Sequence, residues 1–243
     1  MREIRSRIKS VRSTQQITKA MKMVSAAKLR RAQRSGEEMR VFSDRCRHIL
    51  GSLLAGENTD HPLLTPRKTA DTVLYVLFVG NRGLCGNYNT AVVRYLQSLL
   101  EGETRAASVI VVGRWGRDVL AASGLPITAT YADAGDVPVM GEAVALSEQL
   151  KKAFLSGEAD EVYLVRQRYV SALQQTPEAV RLLPASATGE EVPSDRRYIF
   201  EPSREAVLDS AVQLFVNCCV FSAMQEARAA EQAARMTAMS AAT

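Results

Sequence analysis

The sequence predicts an α/β fold: a long antiparallel coiled coil of N- and C-terminal helices projecting from a small Rossmann-like α/β domain. Three observations carry this. No proline occurs before Pro62, the middle of the chain alternates short β-prone runs with amphipathic ones, and residues 203–243 return to an unbroken helical pattern.

Met1 to Gly56 is built from good helix formers, interrupted only by Gly36 and Gly51. As one helix it would be roughly 80 Å long. This N-terminal coiled-coil helix is placed at 1–58, and the turn-rich "GENTDHPLLTP" closes it. "TVLYVLFVG" is then a continuous apolar run of the kind a strand covered on both faces shows. A Gly/Asn turn leads to the helix "NTAVVRYLQSLLEG", with Asn89 or Thr90 as the expected N-cap.

The unit repeats: "ASVIVVG" reads as a strand, "RWGRDVLAASG" as a short helix, "LPITATYADAG" as a strand and "GEAVALSEQLKKAFLSGE" as a helix. Two further β segments, joined by a polar turn, fill "ADEVYLVRQRYVSALQQTPEAVRLLPAS". The α/β domain is therefore placed at 69–200, with a largely parallel sheet. From 203 to 243 a second coiled-coil helix follows, whose Val207, Ala211, Leu214, Cys218 and Phe221 step by four and three like a coiled-coil seam. A domain of about 130 residues has a radius of gyration near ~14 Å and cannot hide two such rods. They must project and pair with each other.

Charge sharpens the picture. Residues 1–34 hold eleven Lys and Arg against the single acid Glu3, while the rest of the chain is net −5. The same helix carries Ile4, Ile8, Val11, Ile17, Met21, Met23, Val24 and Leu29 on several faces. One partner helix cannot cover all of them, so a larger partner with acidic surface is expected around the rod.

Four cysteines without framework spacing read as reduced thiols of a cytosolic compartment. No secretory signal pattern is present at the start, and the longest apolar stretches fall short of the ~20 residues a bilayer span needs. No direct membrane span is expected. Gly80, Gly83 and Gly86 occupy the place of a phosphate loop, yet "GNRGLCG" has neither a Gly-Lys-Ser/Thr ending nor the G-x-G-x-x-G spacing. A structural turn is the simpler reading. Cys85 has no histidine relay in view, since the only histidines are His48 and His61. Asp133, Asp136, Glu190 and Glu191 read as solvated turn residues. No catalytic, cofactor-binding or metal residues are expected. The competing class is a basic-helix nucleic-acid-binding protein, disfavoured because no aromatic residue precedes Phe42 to stack on bases.

"EIRSRIKSVRSTQQITKAMKMVSAAKLRRAQ", "GNRGLCGNYN" and "AAEQAARMTAMSAAT" together resemble, in order and across essentially the whole chain, the gamma subunit family of F-type ATP synthases. The resemblance implies a non-catalytic central stalk that rotates inside a ring of alpha and beta subunits, its foot on the epsilon subunit and the membrane c-ring. It also implies a peripheral position on the cytoplasmic side of a bacterial cell membrane, with no cofactor and no nucleic acid. Family position assigns the partner interface to Lys19, Lys22, Met23, Lys28, Arg30, Arg31, Arg235, Met236 and Met239, and sets Met23 beside Arg235 and Met236. The plain alternative for each is ordinary coiled-coil surface. The family's last helix runs past "MTAMSAAT", so the C-terminal helix is expected to be cut short, leaving the first turns around Ile4 to Val11 ordered only by the surrounding ring. The cysteine pair of redox-regulated chloroplast forms is not seen.

Overall fold

The computed structural model describes residues 2–54, 61–115, 124, 126–132, 137–186 and 200–243. The short helix expected at 114–124, apart from its ends, and the four turn acids lie outside the described residues. The elements are α1 (Arg2–Leu54), β1 (Thr72–Phe78), α2 (Tyr88–Glu101), β2 (Ala106–Val112), β3 (Ile127–Tyr131), α3 (Met140–Ser156), β4 (Glu161–Tyr169), β5 (Gln175–Leu183) and α4 (Arg204–Ala241).

The five strands lie in the order β3-β2-β1-β4-β5. The three pairs from β3 to β4 are parallel, and β5 returns antiparallel to β4. Central β1 explains its own composition. Leu74, Val76 and Phe78 enter one core with α3 and α4, while Val73, Tyr75, Leu77 and Val79 enter a second core under α2. Both faces are covered, so an uninterrupted apolar strand is what the fold requires. At the amino ends of the central strands, Arg105 just before β2 pairs with Glu103 at 2.7 Å and reaches Glu161 at the start of β4 at 2.6 Å.

Ser203 caps α4, its hydroxyl accepting from the Ala206 N–H at 3.3 Å. At the start of α2 the expected cap is not used. The helix begins at Tyr88, and the Asn89 side chain turns back to accept from the Gly80 N–H at 2.8 Å. The α4 seam is also only partly as expected. Cys218 and Phe221 do meet α1, through Met39 and Cys46, whereas Leu214 is exposed. The reason is that α4 serves two neighbours: Leu208, Val212, Phe215, Val216 and Val220 point into the sheet core, which takes the face a two-helix seam would have used. As a whole, α4 is long and apolar enough to cross a membrane by length and composition, contrary to the reading of its separate stretches. Those apolar side chains are spent on the sheet and on α1. All four cysteines are free, and burial pushes the Cys218 thiol up to about 12.

Candidate partner interface

The two rods pair antiparallel. Thr18 meets Thr243 hydroxyl to hydroxyl at 2.8 Å, Lys22 Nζ donates to Ser240 Oγ at 2.9 Å, and Gln225 Nε2 donates to Ser35 Oγ at 3.1 Å. Between these ties Leu29 and Ala32 pack on Ala229 and Ala233, with Met236 and Tyr169 at the margin. Alanine is what lets the two backbones close around one leucine. On this ladder Met23 stands level with the residues just beyond Met236, so the expected register is displaced by a little under one turn. The last contact toward the tip is Gln15 Nε2 donating to the Thr243 carbonyl at 3.0 Å.

Beyond it, every residue from Arg2 to Ile17 is exposed. Ile4 is 63%, Ile8 48%, Val11 63% and Ile17 58% exposed. Arg5, Arg7, Lys9 and Arg12 stand among them. Lys19, Lys22, Met23, Arg30 and Arg31 continue this exposed face, and Lys28 is half-buried. On α4 the expected residues sit differently: Met236 is half-buried, while Arg235 and Met239 are buried.

Arg235 is committed within the chain. Its guanidinium donates to the carbonyls of Arg82 at 3.1 Å and Gly83 at 3.3 Å and pairs with Glu231 at 2.6 Å. Glu231 pairs in turn with Arg228 at 2.5 Å. The Gly-rich turn after β1 thus shows carbonyl oxygens to a cation on α4, the opposite polarity from a loop that cradles phosphate with N–H groups. Leu84 and Gly86 take positive φ there, at 60° and 59°. Cys85 is buried against Ala230 and Ala234. Burial raises its thiol pKa, the Arg235 guanidinium acting against that, so the thiol stays protonated and unsuited to nucleophilic work.

A family profile described as ATP synthase matches residues 1–243. The ATP synthase gamma chain of Desulforamulus reducens is 43% identical over 244 residues, which span 100% of this chain and 86% of that one. The chain belongs to the ATP synthase gamma-chain family. The gamma chain of Desulfitobacterium hafniense is 40% identical over 243 residues, again spanning this whole chain and 85% of the relative. Among solved structures, the central stalk and c-ring of Tetrahymena thermophila mitochondrial ATP synthase matches with a TM-score of 0.72 at 24% identity, covering 93% of this chain and 99% of that one. The rotor of Euglena gracilis mitochondrial ATP synthase matches with a TM-score of 0.69 at 24% identity, covering 99% and 89%. At these identities the two structures speak for the fold, and the fold is the central-stalk fold. Membership of the gamma-chain family leaves the nucleic-acid reading without support.

Sequence reasoning passed over Arg228 and Glu231, which together with Arg235 join α4 to the Gly-rich turn, and read Asn89 as a helix cap where it in fact ties α2 to that turn. One signal was there to find. Arg228, Glu231 and Arg235 are spaced three and four apart inside an alanine-rich stretch, so they share one helix face on which charge is otherwise unexpected.

Proposed function

We propose that this gamma-family chain is the rotating central-stalk subunit of an F-type ATP synthase, coupling ion flow through a membrane ring to ATP synthesis or hydrolysis in the alpha and beta subunits. One observation supports this above the others: where α1 is already paired with α4, its outer face still carries Met23 and Val24, 60% and 55% exposed, among the exposed Lys19, Lys22, Arg30 and Arg31. A helix meant for water has no use for the first set. A helix meant for a closed core has no use for the second. A surrounding sleeve with apolar walls and acidic loops uses both.

In this reading the chain makes and breaks no bond itself. Its two unequal helices present different faces to three equivalent partners at any one angle, and rotation presents each partner with each face in turn. Lys19, Lys22, Met23, Lys28, Arg30 and Arg31 form the contact face, while Arg235, Met236 and Met239 support it from α4. Exposed ion pairs of ~0.2 to 1 kcal/mol can be exchanged from one partner to the next without trapping a single angle. Methionine adds an adaptable apolar contact. The α/β domain stands on the epsilon subunit and the c-ring, on the cytoplasmic side of the cell membrane, so the chain is held there peripherally.

Co-purification tests it. An affinity-tagged copy expressed in its native host should bring down alpha and beta subunits together with c-ring protein. Recovery of the tagged chain from membranes without alpha and beta subunits would overturn the proposal.

A further inference from the structure

The strand order places a topological switch point at the carboxyl ends of β1 and β4, because the chain moves from β1 outward through β2 to β3 and then crosses back to β4. In open, mostly parallel sheets this crevice is where ligands bind. Here part of the chain itself fills it. Glu231 lies over the first residue of the Gly-rich turn so closely that a Cβ at Gly80 would come within 3.0 Å of its Oε1. The carboxylate is 3% exposed and held on both sides, by Arg228 and Arg235. Arg235 then reaches the Arg82 and Gly83 carbonyls, and the Tyr88 hydroxyl at the start of α2 donates to the Ala227 carbonyl at 2.9 Å. Gln167 of β4 closes the set, donating to the Tyr88 carbonyl at 3.1 Å.

We propose that Arg228, Glu231 and Arg235 form a clamp that plugs this crevice and locks the shaft to the α/β domain against twist. The inference rests on the rotor reading above. Charged groups buried in an alanine-rich helix do little for stability that apolar side chains could not do as well. What they add is direction. Alanine surfaces packed on Cys85, Tyr88 and Tyr169 can slide or turn, whereas a guanidinium fixed on two carbonyls and a carboxylate allows one rotation of α4 about its own axis. Torque entering α4 through the sheet core from Leu208 to Met224 must pass this level to reach the Leu29 end of the coiled coil, so the clamp belongs to coupling and not to the ring's own chemistry. Glu231 acts as a positioning residue.

The test uses the whole membrane-bound complex. Glu231→Ala should leave ATP hydrolysis within about twofold of the parent while ATP-driven ion pumping falls at least fivefold. A cross-link should replace the clamp: in an E231A/A234C variant, oxidation to join the new thiol to Cys85 should restore pumping to at least half the parent level, and reduction should abolish it again. Gly80→Val, which leaves α4 untouched and displaces the carboxylate, should lower the pumping-to-hydrolysis ratio in the same direction and serves if E231A complexes do not assemble. The proposal is overturned if both E231A and G80V pump normally, if hydrolysis and pumping fall in proportion, or if the oxidised cross-link forms fully without recovery. Normal pumping by the parent complex in the same assay keeps the rotor reading intact whichever way the clamp falls.

Discussion

Replacing Ile4, Ile8 and Val11 together by alanine should leave the isolated chain as stable as before and weaken its association with the alpha/beta ring by about 3 kcal/mol. The triple change removes three carbons from each isoleucine and two from the valine. At ~0.8 kcal/mol per fully buried carbon this amounts to roughly 6 kcal/mol. In the free chain these side chains are 63%, 48% and 63% exposed. Only a little over half of their surface is left for a partner to cover, which reduces the loss to ~3 to 4 kcal/mol, about 10² to 10³ in Kd. Alanine has the highest helix propensity, so α1 itself is not weakened. Binding to a purified alpha/beta subcomplex, followed by surface plasmon resonance, reads the affinity, and circular dichroism reads the melting of the chain alone. A melting point lower by more than a few degrees would mean the seam already packs within the chain. Unchanged affinity would mean that it never enters the partner.

Leu29→Ala should do the reverse, destabilising the isolated chain by about 2 to 4 kcal/mol in urea unfolding, because Ala32, Ala229 and Ala233 have no atoms to move into the cavity. Amide hydrogen exchange on the chain alone should be fast from Ile4 to Val11, which are exposed, and slow around Leu29, which Ala229 and Ala233 cover; equal protection would contradict that difference. Neutralising Lys22, Lys28, Arg30 and Arg31 together should weaken ring association and flatten its salt dependence, while each single change stays within about fivefold; a quadruple variant with unaltered affinity and salt slope would remove the acidic-sleeve account. The hydrogen-bonded Arg105 guanidinium holds the Glu103 carboxyl down to about 2. Such an acid contributes stability that is fully present above its unfolded pKa near ~4.3 and lost as pH falls toward 2. The stability gap between the parent and Glu103→Gln, about 1 to 2 kcal/mol after solvent screening, should therefore close across that window; a gap constant from pH 5 to 2.5 would refute it.

What could be read from the sequence and what could not divide along physical lines. The buried strands and the two rods were legible because continuous apolar runs and a helical period without proline are local properties. The central-stalk family was legible from three motifs in order. The register of the rods was not, because alanine-rich surfaces offer few distinctive partners, and it is settled here by Thr18, Lys22 and Ser35 finding Thr243, Ser240 and Gln225. Leu214 was misplaced because a heptad-like spacing cannot say that a sheet claims the neighbouring face. Arg235 was assigned to the outer face by position, yet its partners are two carbonyls more than 150 residues away in sequence. Asn89 was read as a cap because Asn before an apolar helix usually is one, whereas here the Gly80 N–H takes its oxygen.

Rotation tests the central claim most directly. A bead or gold particle attached through Leu155→Cys, an exposed position near the end of α3, would be followed by microscopy on surface-fixed alpha/beta rings assembled with this chain. The account predicts that adding ATP drives sustained rotation in one direction, stopping when ATP is removed. Steady ATP hydrolysis by complexes that contain the chain, with the particle stationary or moving only by diffusion, would contradict it.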